Sequence, residues 1–194
     1  MKKQIILTII IATLTLNFNA QTVTLNMATY NSDDLEINGE YIKDFNNDLD
    51  KYVGIWKWEE GNSSFTIKFE KIEMLSFQPY FNYYADIIIG RYKYVENGIT
   101  IADNLNETYN GDYLMYPIKT SFNQSNLNEL NITFRDYPKQ KTGGGYIIIN
   151  TTISPPTIEW LAVGNSIVLI DDETSIDGWS VPIGNTNPKI LIKQ

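Results

Sequence analysis

The chain has 194 residues, 43% of them hydrophobic and 13% aromatic, which is enough for one domain with a sizeable core. Its 15 basic residues against 23 acidic ones give a formal charge of −8, and that acidity argues against a nucleic-acid partner or an anionic membrane surface. Cysteine and histidine are both absent, which excludes disulfides, Ser–His and Cys–His catalysis and histidine-ligated zinc.

The pattern along the chain begins with a basic pair, Lys2-Lys3, an apolar run from Ile5 to Leu16, and Ala20 before Gln21. This reads as a secretory signal peptide over 1–20, too short for a membrane span, so the protein is expected to be exported to the periplasm or beyond, without membrane insertion. Residues 21–43 read as a polar leader, lying on the surface or pairing as an edge strand. Asp33, Asp34 and Glu36 there lack the spacing of a calcium loop. Residues 44–194 read as a single β-barrel domain.

That domain opens on a short N-terminal helical turn. Phe45, Leu49 and Tyr52 or Val53 share one helical face, and the Asp44 carboxylate is placed to cap it. Gly54 ends the turn and a strand follows, with Trp56 and Trp58 on one face and Ile55 and Lys57 on the other. In the next strand, Ser64 to Leu75, Phe65, Ile67 and Phe69 alternate, and then Ile72 and Met74 fall out of phase. A β-bulge at Glu70-Lys71 would reconcile the two sets.

The connection Phe77 to Tyr84 carries five rings and reads either as a binding rim, with Tyr80, Phe81, Tyr83 and Tyr84 as a stacking platform, or as a loop folded onto the core. Asn97-Gly98 marks a type I′ hairpin. Before it, Ile88, Gly90, Tyr92 and Tyr94 alternate with Ile89, Arg91 and Lys93, and Gly90 suggests a bend or a close backbone approach. Tyr113 to Phe122 contains Pro117, which suggests an edge or bulged strand. In Glu129 to Asp136, Leu130, Ile132 and Phe134 alternate strictly. Pro138 to Gly145 reads as a flexible loop. Tyr146–Ile153, Thr157–Val163 and Ser166–Asp171 read as three strands, with Gly164-Asn165 a tight turn. A polar connection holding Trp179 leads to a short strand, Lys189 to Lys193. Nine or ten short strands without a long amphipathic helix predict an all-β fold, an antiparallel up-and-down barrel or alternatively a β-sandwich.

The Gly54-Ile55-Trp56 opening after a helical turn resembles lipocalin-like barrels, in which the tryptophan packs across the closed end. That resemblance implies a partner cation near the last strand, either Lys189 or Lys193. The whole chain also resembles an uncharacterised secreted family common in Bacteroidetes-type bacteria. The likeness lies in the signal peptide, Asp50-Lys-Tyr-Val-Gly-Ile-Trp56, Gly90-Arg-Tyr-Lys-Tyr94 and Ile190-Leu-Ile-Lys-Gln194.

No catalytic residue, metal ligand or cofactor site stands out. Glu59, Glu60, Glu70, Asp86, Glu159 and Asp171-Asp172-Glu173 read as solvated charges. Three functions fit the pattern. One is a non-catalytic barrel binding a small apolar or amphipathic ligand through Trp56, Trp58, Tyr92 and Tyr94, although the same rings would equally fill a small barrel. Another is a surface-interaction or glycan-binding module using Tyr80, Phe81, Tyr83 and Tyr84. The third is a carboxylate-based hydrolase.

Overall fold

Period-two alternation builds eleven strands in the computed structural model, which describes residues 22–31, 39–109, 113–139, 141–168, 178–183 and 188–194. Residues 1–20, read above as a signal peptide, the acids Asp33, Asp34 and Glu36, and Asp171 to Glu173 lie outside the described residues. The strands are β1 (Thr24–Asn26), β2 (Glu40–Lys43), β3 (Gly54–Glu60), β4 (Ser63–Ser76), β5 (Tyr83–Glu96) and β6 (Ile99–Asp103), followed by β7 (Ile118–Phe122), β8 (Glu129–Asp136), β9 (Lys141–Asn150), β10 (Thr157–Val168) and β11 (Lys189–Lys193).

Eight of them close a ring. It runs β3, β4, β5, β7, β8, β9, β10, β11 and back to β3, antiparallel at every step. This is the up-and-down barrel, and closure rules out the sandwich. Of the other three, β2 and β6 pair with β5, and β1 pairs in parallel with β2. One edge of β5 follows β4. The opposite edge serves β2 at Tyr83–Ala85 in parallel, then β7 at Ile89–Gly90, then β6 at Lys93–Glu96. The β5–β6 hairpin turns at Asn97-Gly98, with φ of 52° and 82° as a type I′ turn requires.

The barrel interior is aromatic and filled. Trp56, Phe65, Phe69, Tyr92, Phe134 and Trp160 are all buried. The Phe65 ring lies 5.2 Å from Trp160 and 6.1 Å from Tyr92, and Phe134 lies 5.7 Å from Trp160. Edge and tilted contacts of this kind suit the ring quadrupoles. Gly90 is the close approach its position suggested: a Cβ there would sit 2.8 Å from the Phe69 ring.

Both ends are covered. Where β3, β5, β8 and β10 begin, residues 44–53 plug the barrel with Leu49 and Tyr52, both fully buried. The Trp56 indole donates to the Tyr52 carbonyl at 2.7 Å, and the Tyr52 hydroxyl donates to the Leu127 carbonyl at 3.3 Å. At the other end a strap, residues 178–183, crosses the opening. The Trp160 indole donates to the Pro182 carbonyl at 2.9 Å, and Trp179 packs 5.4 Å from Phe134. The buried Asp136 carboxylate accepts from the Ser180 amide at 2.5 Å and from its hydroxyl.

Five local expectations are corrected. The N-terminal helical turn is a 3-10 turn of three residues, Asp50–Tyr52, and Phe45 is exposed, so no α-helical stripe packs on Trp56. Asp44 still caps, accepting from the amides of Asp48 at 2.8 Å and Leu49 at 3.0 Å. The β4–β5 ladder is unbroken through Glu70 and Lys71, and the irregularity falls between Ile72 and Leu75, where Met74 has φ of 51°. The phase slips in the sequence because Lys71 takes a position on the Phe69 face, where its ammonium meets Asp44 at 2.9 Å and Asp50 at 2.8 Å. Pro117 precedes β7, and that strand is no edge, because it closes the barrel against β5. Gly143–Gly145 lie inside β9 rather than in a loop. β10 runs on through Gly164 with a register shift between Val163 and Ile167, so the tight turn there does not form.

Candidate functional site

The seam between β5 and β7 is one of the two thin closures in the ring: like β3–β11 it has two registered pairs, against seven or more in β3–β4, β4–β5, β8–β9 and β9–β10. Beyond Ile89 the two strands part. The Thr120 hydroxyl spans the start of the gap, donating to the Ile88 carbonyl at 2.8 Å and accepting from its amide at 3.3 Å. Further along, β2 takes over the edge of β5. Between β2 and β7 the seam opens into a half-open cleft of about 110 Å³.

The cleft walls are mostly apolar, with Asp86, Thr120 and Ser121 as the polar part of the lining besides the tyrosine hydroxyls. Ile42, Ala85 and Ile87 line it from the sheet, and Met27 from the turn after β1. Five rings, Tyr30, Phe77, Tyr83, Tyr113 and Phe122, complete it. Phe77 stacks on Tyr83 at 4.7 Å and 23°, and meets Tyr113 at 4.5 Å. Local hydrogen bonding sorts the aromatic loop: the amides of Tyr80 and Phe81 both donate to the Phe77 carbonyl. This tight turn leaves Phe77 buried and Tyr80 and Phe81 each 60% exposed. Phe81 still touches the cleft wall, with its ring 5.9 Å from Tyr83. Burial pushes the phenols of Tyr83 and Tyr113 above their ordinary pKa, so both are neutral at physiological pH.

The N-terminal segment forms one side of this site. β1 pairs with β2, and the Gln124 amide donates to the carbonyls of Met27 at 3.1 Å and Tyr30 at 2.8 Å. The segment is thereby tied to β5 on one side and to the β7–β8 turn on the other.

A second, wider depression of about 270 Å³ lies between Ala102–Glu107 and Tyr137-Pro138. Its carboxylates already have partners. Asp103 pairs with Lys93 at 2.8 Å, and Glu107 accepts from the Tyr109 hydroxyl at 2.7 Å.

The sequence-derived site residues fall into three places. Trp56 and Tyr92 are core, both fully buried. Trp58 and Tyr94 are half-buried on either side of Phe65, and the Lys189 ammonium lies 3.9 Å from the Trp58 ring centroid. Tyr80, Phe81, Tyr83 and Tyr84 stay together near the aromatic loop, but only Tyr83 lines the cleft. Tyr30, Tyr113 and Phe122 were not singled out from the sequence. They come from three distant segments, and only the fold of β2 and β7 along β5 brings them together. Among the described residues no group of three or more acids could hold a metal ion, and no helix is long and apolar enough to cross a membrane.

Fold and cleft together define a closed eight-stranded antiparallel β-barrel protein with an aromatic opening in its seam. Over its whole length, residues 1–194, the chain matches the model of the family of unknown function DUF6705, and it belongs to that family. No curated protein and no solved structure matches it.

Proposed function

We propose that this is an exported, non-catalytic barrel protein that binds a small apolar or amphipathic molecule in the seam cleft, not inside the barrel. One observation carries the reading: the barrel interior is packed with rings and covered at both ends, whereas five further rings line an opening reached from outside. Such an apolar recess is where a small guest gains most from leaving water. Lys2-Lys3, the apolar run to Leu16 and Ala20 support export. Three of the four buried acids among the described residues, Asp44, Asp86 and Asp136, hold structural hydrogen bonds, which supports a non-catalytic role. The Lys193 ammonium, 5.2 Å from the Trp56 ring, supports the lipocalin-like reading of the closed end, with the binding site moved outward.

The four tryptophans, Trp56, Trp58, Trp160 and Trp179, provide the test, because none lines the cleft. Small non-fluorescent molecules such as cyclohexanol or hexanol should shift the amide resonances of Met27, Ile42, Ala85, Ile87 and Phe122 saturably and leave tryptophan emission unchanged. Quenched emission would place the guest inside the barrel, and absence of any saturable shift would remove the binding role. A second reading, a glycan platform on Tyr80 and Phe81, is favoured by their exposure. It would show as shifts confined to the Phe77–Asn82 loop on titration with oligosaccharides.

A further inference from the structure

We infer that the seam cleft selects one uncharged aromatic ring, carried at the end of a larger amphipathic molecule, over sugars, organic cations and long alkyl chains. This deepens the cleft-binding reading above and rests on it. Three features of the lining carry the inference.

Size comes first. The cleft holds about 110 Å³, and a dry site that accepts benzene is on the order of 150 Å³. The cleft is open on one side, so a single ring seats in it with its substituent leaving through the mouth, where Phe81 stands beside Tyr83. A fused ring system or a folded alkyl chain overfills it.

Polar supply comes second. Two buried polar side chains belong to the lining, Asp86 and Thr120, and both are committed. Asp86 Oδ1 accepts from the Tyr41 hydroxyl at 2.5 Å and the Met74 amide at 2.9 Å, and Oδ2 accepts from the Asp44 amide at 2.9 Å. Thr120 is held by both backbone groups of Ile88. A sugar would therefore lose water from its hydroxyls with little in return, and an ammonium would find the carboxylate already turned toward the plug.

The walls come third. The Phe77 ring centroid lies 4.7 Å from that of Tyr83 and 4.5 Å from that of Tyr113, and a further ring extends that cluster in the tilted and offset contacts rings prefer. Ring faces also draw cations, but the Lys119 ammonium already lies 5.1 Å from the Tyr113 ring centroid, and its charge repels a second cation.

The test compares p-cresol, methyl α-glucoside, tetramethylammonium chloride and decanoate on the folded full chain, by calorimetry and amide shifts. The expected result is p-cresol binding at the cleft with a Kd lower by about tenfold or more than each of the other three. Ala85→Leu, which fills the cleft from the β5 wall, should raise the p-cresol Kd by at least about tenfold while melting cooperatively. Should Ala85→Leu fail to fold, Tyr113→Ala serves instead: it enlarges the cleft and should turn the preference from p-cresol toward 2-naphthol. Equal or tighter cleft binding of the glucoside, the cation or decanoate would overturn ring selection and leave the cleft as a binding site. If none of the four probes binds, the binding function falls with it.

Discussion

Lys193 holds its ammonium 5.2 Å from the centroid of the Trp56 ring and donates to the Lys51 carbonyl at 3.3 Å. One side chain of β11 thus joins the first wall strand and the plug. Gly54 makes room for it: a Cβ at Gly54 would sit 3.1 Å from Lys193 Cε, and its φ of 132° suits no other residue well. Lys189 makes the same kind of ring contact above Trp58, 3.9 Å from its centroid.

Trp56→Ala should destabilise the protein by roughly 3–5 kcal/mol, the range for emptying a buried aromatic site. Ile55, 45% exposed on the outer face, should cost under about 1 kcal/mol as Ile55→Ala. Lys193→Met should cost about 0.5–2 kcal/mol. A double-mutant cycle on Trp56 and Lys193 should show positive coupling in urea unfolding. Equal midpoint losses for Trp56→Ala and Ile55→Ala would contradict the closing role of Trp56.

The strap should come away from the barrel when its anchor is removed. Asp136 is fully buried, and Asp136→Ala leaves the Ser180 amide without its acceptor, a loss of about 1–3 kcal/mol. Trp179 rests on Phe134 and sits where a side chain at Gly164 would collide with it. Acrylamide quenching of the variant should therefore rise, and adding Trp179→Phe to Asp136→Ala should abolish the rise. Unchanged quenching in Asp136→Ala would show that the strap holds without this anchor.

How much of this was legible depended on whether a residue's partner lay nearby in sequence. Leu130, Ile132 and Phe134 announce β8 because alternation is local, and Asn97-Gly98 announces its hairpin because the turn needs positive φ at both positions. Lys71 misled because its partners, Asp44 and Asp50, sit 27 and 21 residues away and turn an inward position charged. Gly143 to Gly145 misled because glycines carry no side-chain pattern, although Phe134 requires Gly143 and the Leu161 carbonyl across the sheet requires Gly145. The cleft could not be read at all. The parting of β7 from β5 is a property of the sheet, and no window of sequence contains it.

Gly145 provides a sharp steric test. A Cβ there would lie 2.0 Å from the Leu161 carbonyl oxygen, a backbone atom of the adjacent strand that cannot move without breaking the β9–β10 ladder. Gly61, in the β3–β4 turn, has nothing within 4 Å of the same position. Gly145→Ala should lose more than about 4 kcal/mol or fail to fold, whereas Gly61→Ala should lose only about 1 kcal/mol from its positive φ. Comparable thermal midpoints for the two variants would mean that β9 and β10 do not pack as closely as this.

The Asp44–Lys71 pair should give the plug its pH dependence. Burial alone would raise the pKa of Asp44, but the Leu49 amide, the Lys71 ammonium and the Asp48 amide outweigh it and hold the carboxyl below its usual value. Burial would lower Lys71, and Asp50 and Asp44 outweigh that, so its pKa lies above the ordinary one. A carboxylate depressed in the folded state contributes stability that is complete above its unfolded pKa, about 3.9, and is lost as pH falls through the folded value. A raised lysine contributes stability that is complete below about 10.4 and is lost as pH rises through its folded value. Stability from this pair should therefore be level through neutral pH and fall at both extremes. Asp44→Asn should be less stable than the parent at pH 7 by about 1–3 kcal/mol, since two amides and an ammonium lose a charged acceptor. That gap should narrow as pH falls below the unfolded carboxylate value and through the lower folded one, where the parent carboxyl is itself being protonated. Urea midpoints for both proteins at pH 7 and pH 2.5 decide the matter: a gap that stays constant would trace the loss to packing rather than to the charge on Asp44.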